Sequence, residues 1–198
     1  MENAEAKNRK SEYYPEIADI EFNAEKGIII SVNNDLLDTS RMREIAKSMN
    51  LNEKEKNHLT IIGSDTAEAI TASLAGKSSD EREIILAQIK ALVQSINWKF
   101  TFRPEFYYIK KEYNDPDPND QTKTIPETRE SMIQMAETDN LKEFYLRLEE
   151  ITGLKFEIPI PHITLFTNST REDKRLRGIG IYSENDFKAL NPQLILAP

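Results

Sequence analysis

The sequence predicts an α+β protein with two lobes of similar construction. Short β-branched runs such as "GIIISV" (27–32) alternate with amphipathic stretches such as 40–49, and these patterns are typical of buried strands and of helices. A comparable order of elements occurs in residues 27–104 and again in residues 105–190. The chain contains only two histidines, and each opens a His-x-Thr strand inside its half. Together these observations predict a duplicated, bilobal fold.

The elements follow from the apolar periodicity and from the breakers between them. Residues 1–16 are polar and are interpreted as an N-terminal tail, and 17–198 as a single bilobal domain. The first lobe is predicted to contain strands at 27–32, 58–63 and 98–102 and helices at 40–49, 64–76 and 78–96. The second is predicted to contain strands at 105–113, 156–167 and 177–183, a loop at 114–126 and helices at 127–138, 140–152 and 184–189.

Composition restricts the partners that the protein can have. The chain of 198 residues carries a formal net charge of −8, which argues against a protein that holds long nucleic acid through its phosphates. It contains no cysteine, so disulfides, thiolate zinc sites and a cysteine nucleophile are excluded. No apolar run approaches the length of a membrane span. We therefore expect a cytoplasmic protein, monomeric and without membrane contact, that acts on a small ligand or on an RNA end.

The two His-x-Thr units place polar side chains on one face of each strand. Side chains alternate along a strand, so His58 and Thr60 share a face, as do His162 and Thr164. Histidine titrates near neutral pH, and two imidazoles across a cleft can take one proton and give another. A threonine hydroxyl can donate to a phosphate oxygen as charge develops there. The pattern predicts paired acid–base chemistry at phosphorus that needs neither a metal nor a cofactor.

This paired pattern, "HLTI" and "HITL" in two similar halves, resembles the two-histidine (2H) phosphoesterase superfamily, which includes the LigT-like RNA 2′,3′-cyclic phosphodiesterases. The resemblance covers roughly residues 27–185. It implies two antiparallel sheets facing a central cleft, with helices on the outside. It also implies hydrolysis of a cyclic or diester phosphate beside a ribose hydroxyl, without metal. The resemblance implies that the catalytic residues are His58, Thr60, His162 and Thr164, the histidine and threonine of each motif.

Five further residues are candidates for substrate binding. Tyr108 and Lys110 share one face of their predicted strand, and both could reach the cleft. Tyr182 follows the second motif, and Arg103 offers a cation. Trp98 could stack on a base.

Several alternatives stay open at this stage. The substrate could instead be a cyclic di- or oligonucleotide or ADP-ribose 1″,2″-cyclic phosphate. The cleft could belong to a nucleotide- or RNA-end-binding module without activity. Both histidines could bind a metal together with carboxylates, although no metal-ligand spacing accompanies them. Each histidine could also be a hydrogen-bonded structural residue. The sequence does not show which histidine is the base, nor whether the product is a 2′- or a 3′-phosphate.

Overall fold

The computed structural model of the chain describes residues 12–23, 27–37, 39–117 and 120–195. These residues form nine strands and five α-helices. The strands are β1 (Glu12–Tyr13), β2 (Ile20–Asn23), β3 (Gly27–Val32), β4 (Asn52–Glu53), β5 (Asn57–Ile62), β6 (Phe100–Asp117), β7 (Asp120–Glu137), β8 (His162–Ser169) and β9 (Gln193–Ile195). The helices are α1 (Thr39–Ser48), α2 (Ser64–Leu74), α3 (Ser79–Ser95), α4 (Asn140–Thr152) and α5 (Glu184–Ala189).

The strands form two sheets, and every strand pair within the described residues is antiparallel. The larger sheet has the order β1-β6-β7-β8-β4, and β9 also pairs with β6. The smaller sheet has the order β2-β3-β5. The predicted α+β class with two antiparallel sheets is therefore confirmed. In the part of the chain that the structure describes, no helix combines the length and the apolar composition of a membrane span.

One hydrophobic core joins the two sheets. Leu59 and Ile61 of β5 and Ile163 and Leu165 of β8 are at most 1% exposed, and all four belong to the same cluster. Burying a side chain of this size stabilises the fold by about 1.5–3 kcal/mol. The residues that alternate with these four are consequently directed away from the core. The packing of the apolar residues thus fixes the direction in which the histidines and threonines point.

Helix α4 packs into the main core and hydrogen-bonds to strand β5 of the smaller sheet. Its buried residues recur at the spacing of one helix face, and they are Leu141, Phe144, Tyr145 and Leu148. The Tyr145 hydroxyl donates a 2.9 Å hydrogen bond to the carbonyl oxygen of Ile61 on β5. The helix ends where Gly153 adopts a left-handed conformation with φ of 71°.

Most of the predicted elements are confirmed to within a few residues. The strands predicted at 27–32 and 58–63 are β3 and β5, and the five helices correspond to predictions at 40–49, 64–76, 78–96, 140–152 and 184–189. Helix α3 begins with a reciprocal capping box between Ser78 and Glu81. The strand predicted at 156–167 exists from His162 onward.

The largest error concerns residues 114–138, which were predicted as a loop and a helix. Residues 114–117 belong to β6 and residues 120–137 to β7, and these two strands pair antiparallel; residues 118–119 lie outside the described residues. Residues 131–136 of β7 are all buried, some of them in the main hydrophobic cluster on one face and others in a second cluster on the opposite face, so no simple alternation marks the strand. Met132 packs into the main core and Met135 into a second cluster with Ile109 and Ile133. Their helix-like spacing therefore reflects burial on two faces of a strand.

Two other expectations need correction. Residues 177–183 form no strand, although Ile179 and Ile181 are buried in the second cluster. Residues 100–102 and 105–113 of the two separately predicted strands belong to one strand, β6, which crosses the expected lobe boundary at 104–105. Of the predicted tail, residues 1–11 lie outside the described residues, and Glu12–Tyr13 pair with β6.

Candidate active site

Strands β5 and β8 bring the two His-x-Thr units to one cavity. The strands belong to different sheets and contact each other where the sheets meet. His58, Thr60, His162 and Thr164 all line this cavity of about 600 Å³, called here the histidine cavity. All four side chains are half-buried, whereas the residues between them are in the core. The predicted alternation is observed, and it delivers two imidazoles and two hydroxyls to the same space.

Lys54 completes the centre of this cavity. It directly follows β4, which pairs with β8, and its backbone N–H donates to the carbonyl oxygen of Leu165 at 2.9 Å. Its half-buried side chain lines the cavity, and no carboxylate of the described residues pairs with it. Burial lowers the pKa of its ammonium group. Lys54 was not predicted, because it lies in a lysine-rich segment and the sequence alone does not distinguish it from Lys56.

The imidazole of His58 favours the neutral state. Burial lowers its pKa to about 4, and the positive charges of Lys54 and His162 add to the effect, partly opposed by Glu21. At neutral pH a ring with this pKa carries no proton on one nitrogen. His58 is therefore ready to accept a proton.

His162 has a different environment. Its Nδ1 lies 2.9 Å from the carbonyl oxygen of Ile160, and it also hydrogen-bonds to the backbone of Ile179. Burial lowers the pKa of His162, whereas these two backbone contacts favour the protonated ring, and the charge of Lys54 opposes it. The pKa of both rings is therefore lowered, but of the two only His162 has backbone contacts that favour its protonated form.

No known protein family, no curated protein and no solved structure matches this chain. Function is therefore inferred from the chemistry of the site itself. Two imidazoles, two hydroxyls and one unpaired ammonium in a single cavity suit proton transfer at an anionic centre. Within the described ranges, no group of three or more His, Asp or Glu side chains is arranged to hold a metal ion.

Of the five predicted substrate-binding residues, the structure places one in the histidine cavity. Tyr182 lines it, and the Tyr182 hydroxyl lies 3.4 Å from Oγ of Ser64. Trp98 is only 3% exposed, stacks on Phe100 and donates its indole N–H to the carbonyl oxygen of Val93. Its ring is therefore part of the core and is not available to stack on a base.

The other three candidates lie elsewhere. Arg103 is exposed and pairs with Glu137 beside a separate cavity. Tyr108 packs against the main core and donates its hydroxyl to Glu130. Lys110 lies on the same face of β6 as Tyr108, and its Nζ is 3.6 Å from Oε1 of Glu112. The opposite face of β6 is the one that reaches the cavity.

That opposite face contributes residues that the sequence did not reveal. Tyr113 of β6 lines the cavity together with Arg129 of β7 and Arg177. The Arg129 guanidinium lies 4.1 Å from the centre of the Tyr113 ring, a close cation–π contact. The alternation along β6 separates Tyr113 from Tyr108 and Lys110, and only the folded register shows which set faces the site.

Gly178 provides a test of Thr164. A Cβ atom on Gly178 would lie 2.9 Å from Oγ1 and 3.3 Å from Cγ2 of Thr164, so Gly178→Ala must displace that side chain. We expect kcat to fall roughly 10- to 100-fold, because small misplacements of reacting groups are costly. The matched control is Gly76→Ala, where no atom lies within 4 Å of the added carbon. Equal kinetics for both variants would contradict a role for Thr164 at this site.

Proposed function

We propose that the protein is a metal-independent phosphodiesterase of the 2H type, which hydrolyses 2′,3′-cyclic phosphates of RNA ends or small nucleotides. The observation that carries this proposal is that His58, Thr60, His162 and Thr164 line one cavity. Two proton carriers with different surroundings, facing one space, are what an acid–base pair requires. The duplicated 2H arrangement is part of the proposal, and the contribution of one His-x-Thr strand from each sheet supports it.

In this mechanism His58 is the general base and His162 the general acid. A water molecule forms a new P–O bond while the bond from phosphorus to one ribose oxygen breaks. His58, which is neutral above about pH 4, takes the proton from the water. His162 gives its proton to the departing ribose oxygen, and the bound phosphate anion raises the pKa of its ring. The product is a ribose phosphomonoester with one free hydroxyl.

Thr60, Thr164 and Lys54 bind the phosphate group. The two hydroxyls donate to non-bridging oxygens on which negative charge grows as water attacks. Lys54 supplies a positive charge that no described carboxylate neutralises. Because it acts on both imidazoles, it also keeps them deprotonated until an anion binds.

Turnover of a panel of 2′,3′-cyclic nucleoside monophosphates, measured with a chelator present, tests the proposal. The expected result is hydrolysis that the chelator does not reduce, with one of the two phosphate isomers identified by chromatography or NMR. Loss of activity with the chelator would favour a metal site formed by the histidines. Binding of the nucleotides without any turnover would favour a recognition module.

The pH dependence of kcat/KM tests the assignment of the base. In the free enzyme the acid limb reports the group that must be unprotonated, so we expect it near pH 4, the pKa of His58. Lys54→Gln removes a charge that lowers this pKa, so the limb moves to higher pH and KM rises about tenfold or more. Lys90→Gln, on the exposed surface of α3, is the control. An acid limb that stays at the same pH in Lys54→Gln would contradict His58 as the base.

A further inference from the structure

A second cavity continues the cleft beyond His58. It measures about 770 Å³ and shares Ile29, Lys54, His58 and Leu176 with the histidine cavity. Ligand sites for small molecules usually occupy about 300–1,000 Å³, so each of the two spaces has room for a nucleotide-sized group. A cyclic mononucleotide bound between the histidines would leave the second space without an occupant.

The wall of this second cavity is rich in side-chain amides. Asn33, Asn34 and Asn57 line it, and we call the cavity the amide groove. Asn57 donates from Nδ2 to Oδ1 of Asn34 at 2.8 Å, and Asn34 donates to the carbonyl oxygen of Glu55 at 3.2 Å. These two hydrogen bonds hold the orientation of both amides before any ligand arrives.

One acceptor in this wall is left without a partner. Asn57 is only 4% exposed, and its Oδ1 has no hydrogen-bond partner among the described residues. A buried polar atom in this state costs about 1–3 kcal/mol, so it needs an explanation. This oxygen has almost no accessible surface, so a ligand reaches the amide pair through the exposed Asn34, whose oxygen and nitrogen each keep one further hydrogen-bonding position for the edge of a nucleobase.

The charges of the amide groove are balanced. Lys54 and Lys56 line it, and so do Glu21 and Glu55. Glu21 accepts a 3.0 Å hydrogen bond from the Ser31 hydroxyl. A balanced wall does not attract a run of phosphates, whereas it suits a neutral nucleoside joined to one phosphate near the lysines.

We infer that the amide groove binds a second nucleoside, joined through its phosphate to the nucleotide in the histidine cavity. This inference rests on the proposed phosphodiesterase function. It specifies the substrate: the preferred one contains at least two nucleotides, and a cyclic mononucleotide is a truncated version of it. The exposed amide of Asn34, which Asn57 orients, binds the edge of the second base, and Lys56 lies beside the connecting phosphate.

The test compares a cyclic mononucleotide with a dinucleotide that ends in the same 2′,3′-cyclic phosphate. We expect kcat/KM to be about tenfold or more higher for the dinucleotide, because an added contact to a charged or buried polar group contributes about that factor. Asn57→Leu and the exposed Lys56→Ala should each move the ratio of the two kcat/KM values toward one. Lys90→Ala should keep the wild-type ratio. Melting temperatures identify any variant that fails to fold, and Lys56→Ala carries no such risk because Lys56 is exposed.

The outcomes separate the two levels of the proposal. Turnover of both compounds with a wild-type ratio near one would overturn the second nucleoside site and leave the phosphodiesterase intact. A high wild-type ratio that neither Asn57→Leu nor Lys56→Ala lowers would also overturn the second nucleoside site. If neither compound is hydrolysed, the proposed activity fails, and the Kd values of the same two intact compounds decide the inference. Tighter binding of the dinucleotide that both variants abolish would then support the site, and equal Kd values would overturn it.

Discussion

Replacing either His58 or His162 with alanine is expected to lower kcat for 2′,3′-cyclic phosphates by about 10²–10⁴. In the proposed mechanism, His58→Ala removes the acceptor of the proton from water, and His162→Ala removes the donor to the leaving oxygen. Because the two groups act in one step, the double variant should be hardly slower than the slower single variant. Initial rates at saturating substrate, for the wild type and these three variants, measure the effect.

Stability measurements distinguish this catalytic role from a structural one. Both histidines are half-buried and lie outside the two hydrophobic clusters, so their removal should change the melting temperature by only a few degrees. The contrast is Leu59→Ala, one residue from His58 and 0% exposed, for which we expect a loss of about 2–5 kcal/mol. Variants of His58 and His162 that melt as early as Leu59→Ala would indicate that the imidazoles support the fold. Full turnover in either histidine variant would contradict the mechanism.

The face that carries the histidines and threonines was predictable because a single local rule determines it. Along β5 and β8 the apolar residues alternate with histidine and threonine, and burial of Leu59 and Ile163 directs the polar residues outward. The same rule failed for β7, where Met132 is buried in the main cluster on one face and Met135 in the second cluster on the other. A strand that is covered on both faces loses the alternation that identifies it, and its spacing then resembles that of a helix.

The rest of the site depends on contacts between distant parts of the chain. Lys54 reaches the histidines because β4 pairs with β8, more than one hundred positions away, as in the register of Asn52 with Thr167. Tyr113 reaches the cavity because its face of β6 is turned toward it. The distribution of apolar residues along β6 did not show whether the face of Tyr113 or the face of Tyr108 lies on that side. Sequence periodicity describes each strand or helix alone, so it cannot predict which strands pair or which face of a strand is turned toward the cavity.

The far wall of the histidine cavity is built on an ion cluster of Asp115, Glu127, Arg129, Arg171 and Lys174. Glu127 and Arg129 are its buried members, with side-chain exposures of 0% and 5%. Arg129 donates two hydrogen bonds, from Nε and Nη2, to the Glu127 carboxylate, which also accepts a 2.7 Å hydrogen bond from the Ser169 hydroxyl. Lys174 Nζ lies 3.4 Å from the same carboxylate.

Arg129→Met is expected to destabilise the protein by about 3–5 kcal/mol, because it leaves the buried carboxylate of Glu127 without its bidentate partner. Arg175→Met is the matched control, since it removes an exposed pair with Glu172 that contributes at most about 1 kcal/mol. Denaturant unfolding of both variants measures the difference. The double variant Glu127→Leu/Arg129→Met should lose less than the sum of the single variants, because it removes both buried charges together.

The pH dependence of stability gives an independent check on the same pair. The hydrogen bonds from Arg129, followed by that from Ser169, lower the pKa of Glu127 to about 2, although burial opposes them. A carboxyl with a folded pKa below its unfolded value of 4.5 contributes its full stabilisation above that pH and loses it as the pH falls toward about 2. In Arg129→Met the folded pKa rises, so the loss of free energy of unfolding between pH 5 and pH 2 should be smaller than in the wild type. Parallel curves for the two proteins would mean that Glu127 is stabilised by Lys174 and Ser169 instead, and the cavity wall would then not depend on Arg129.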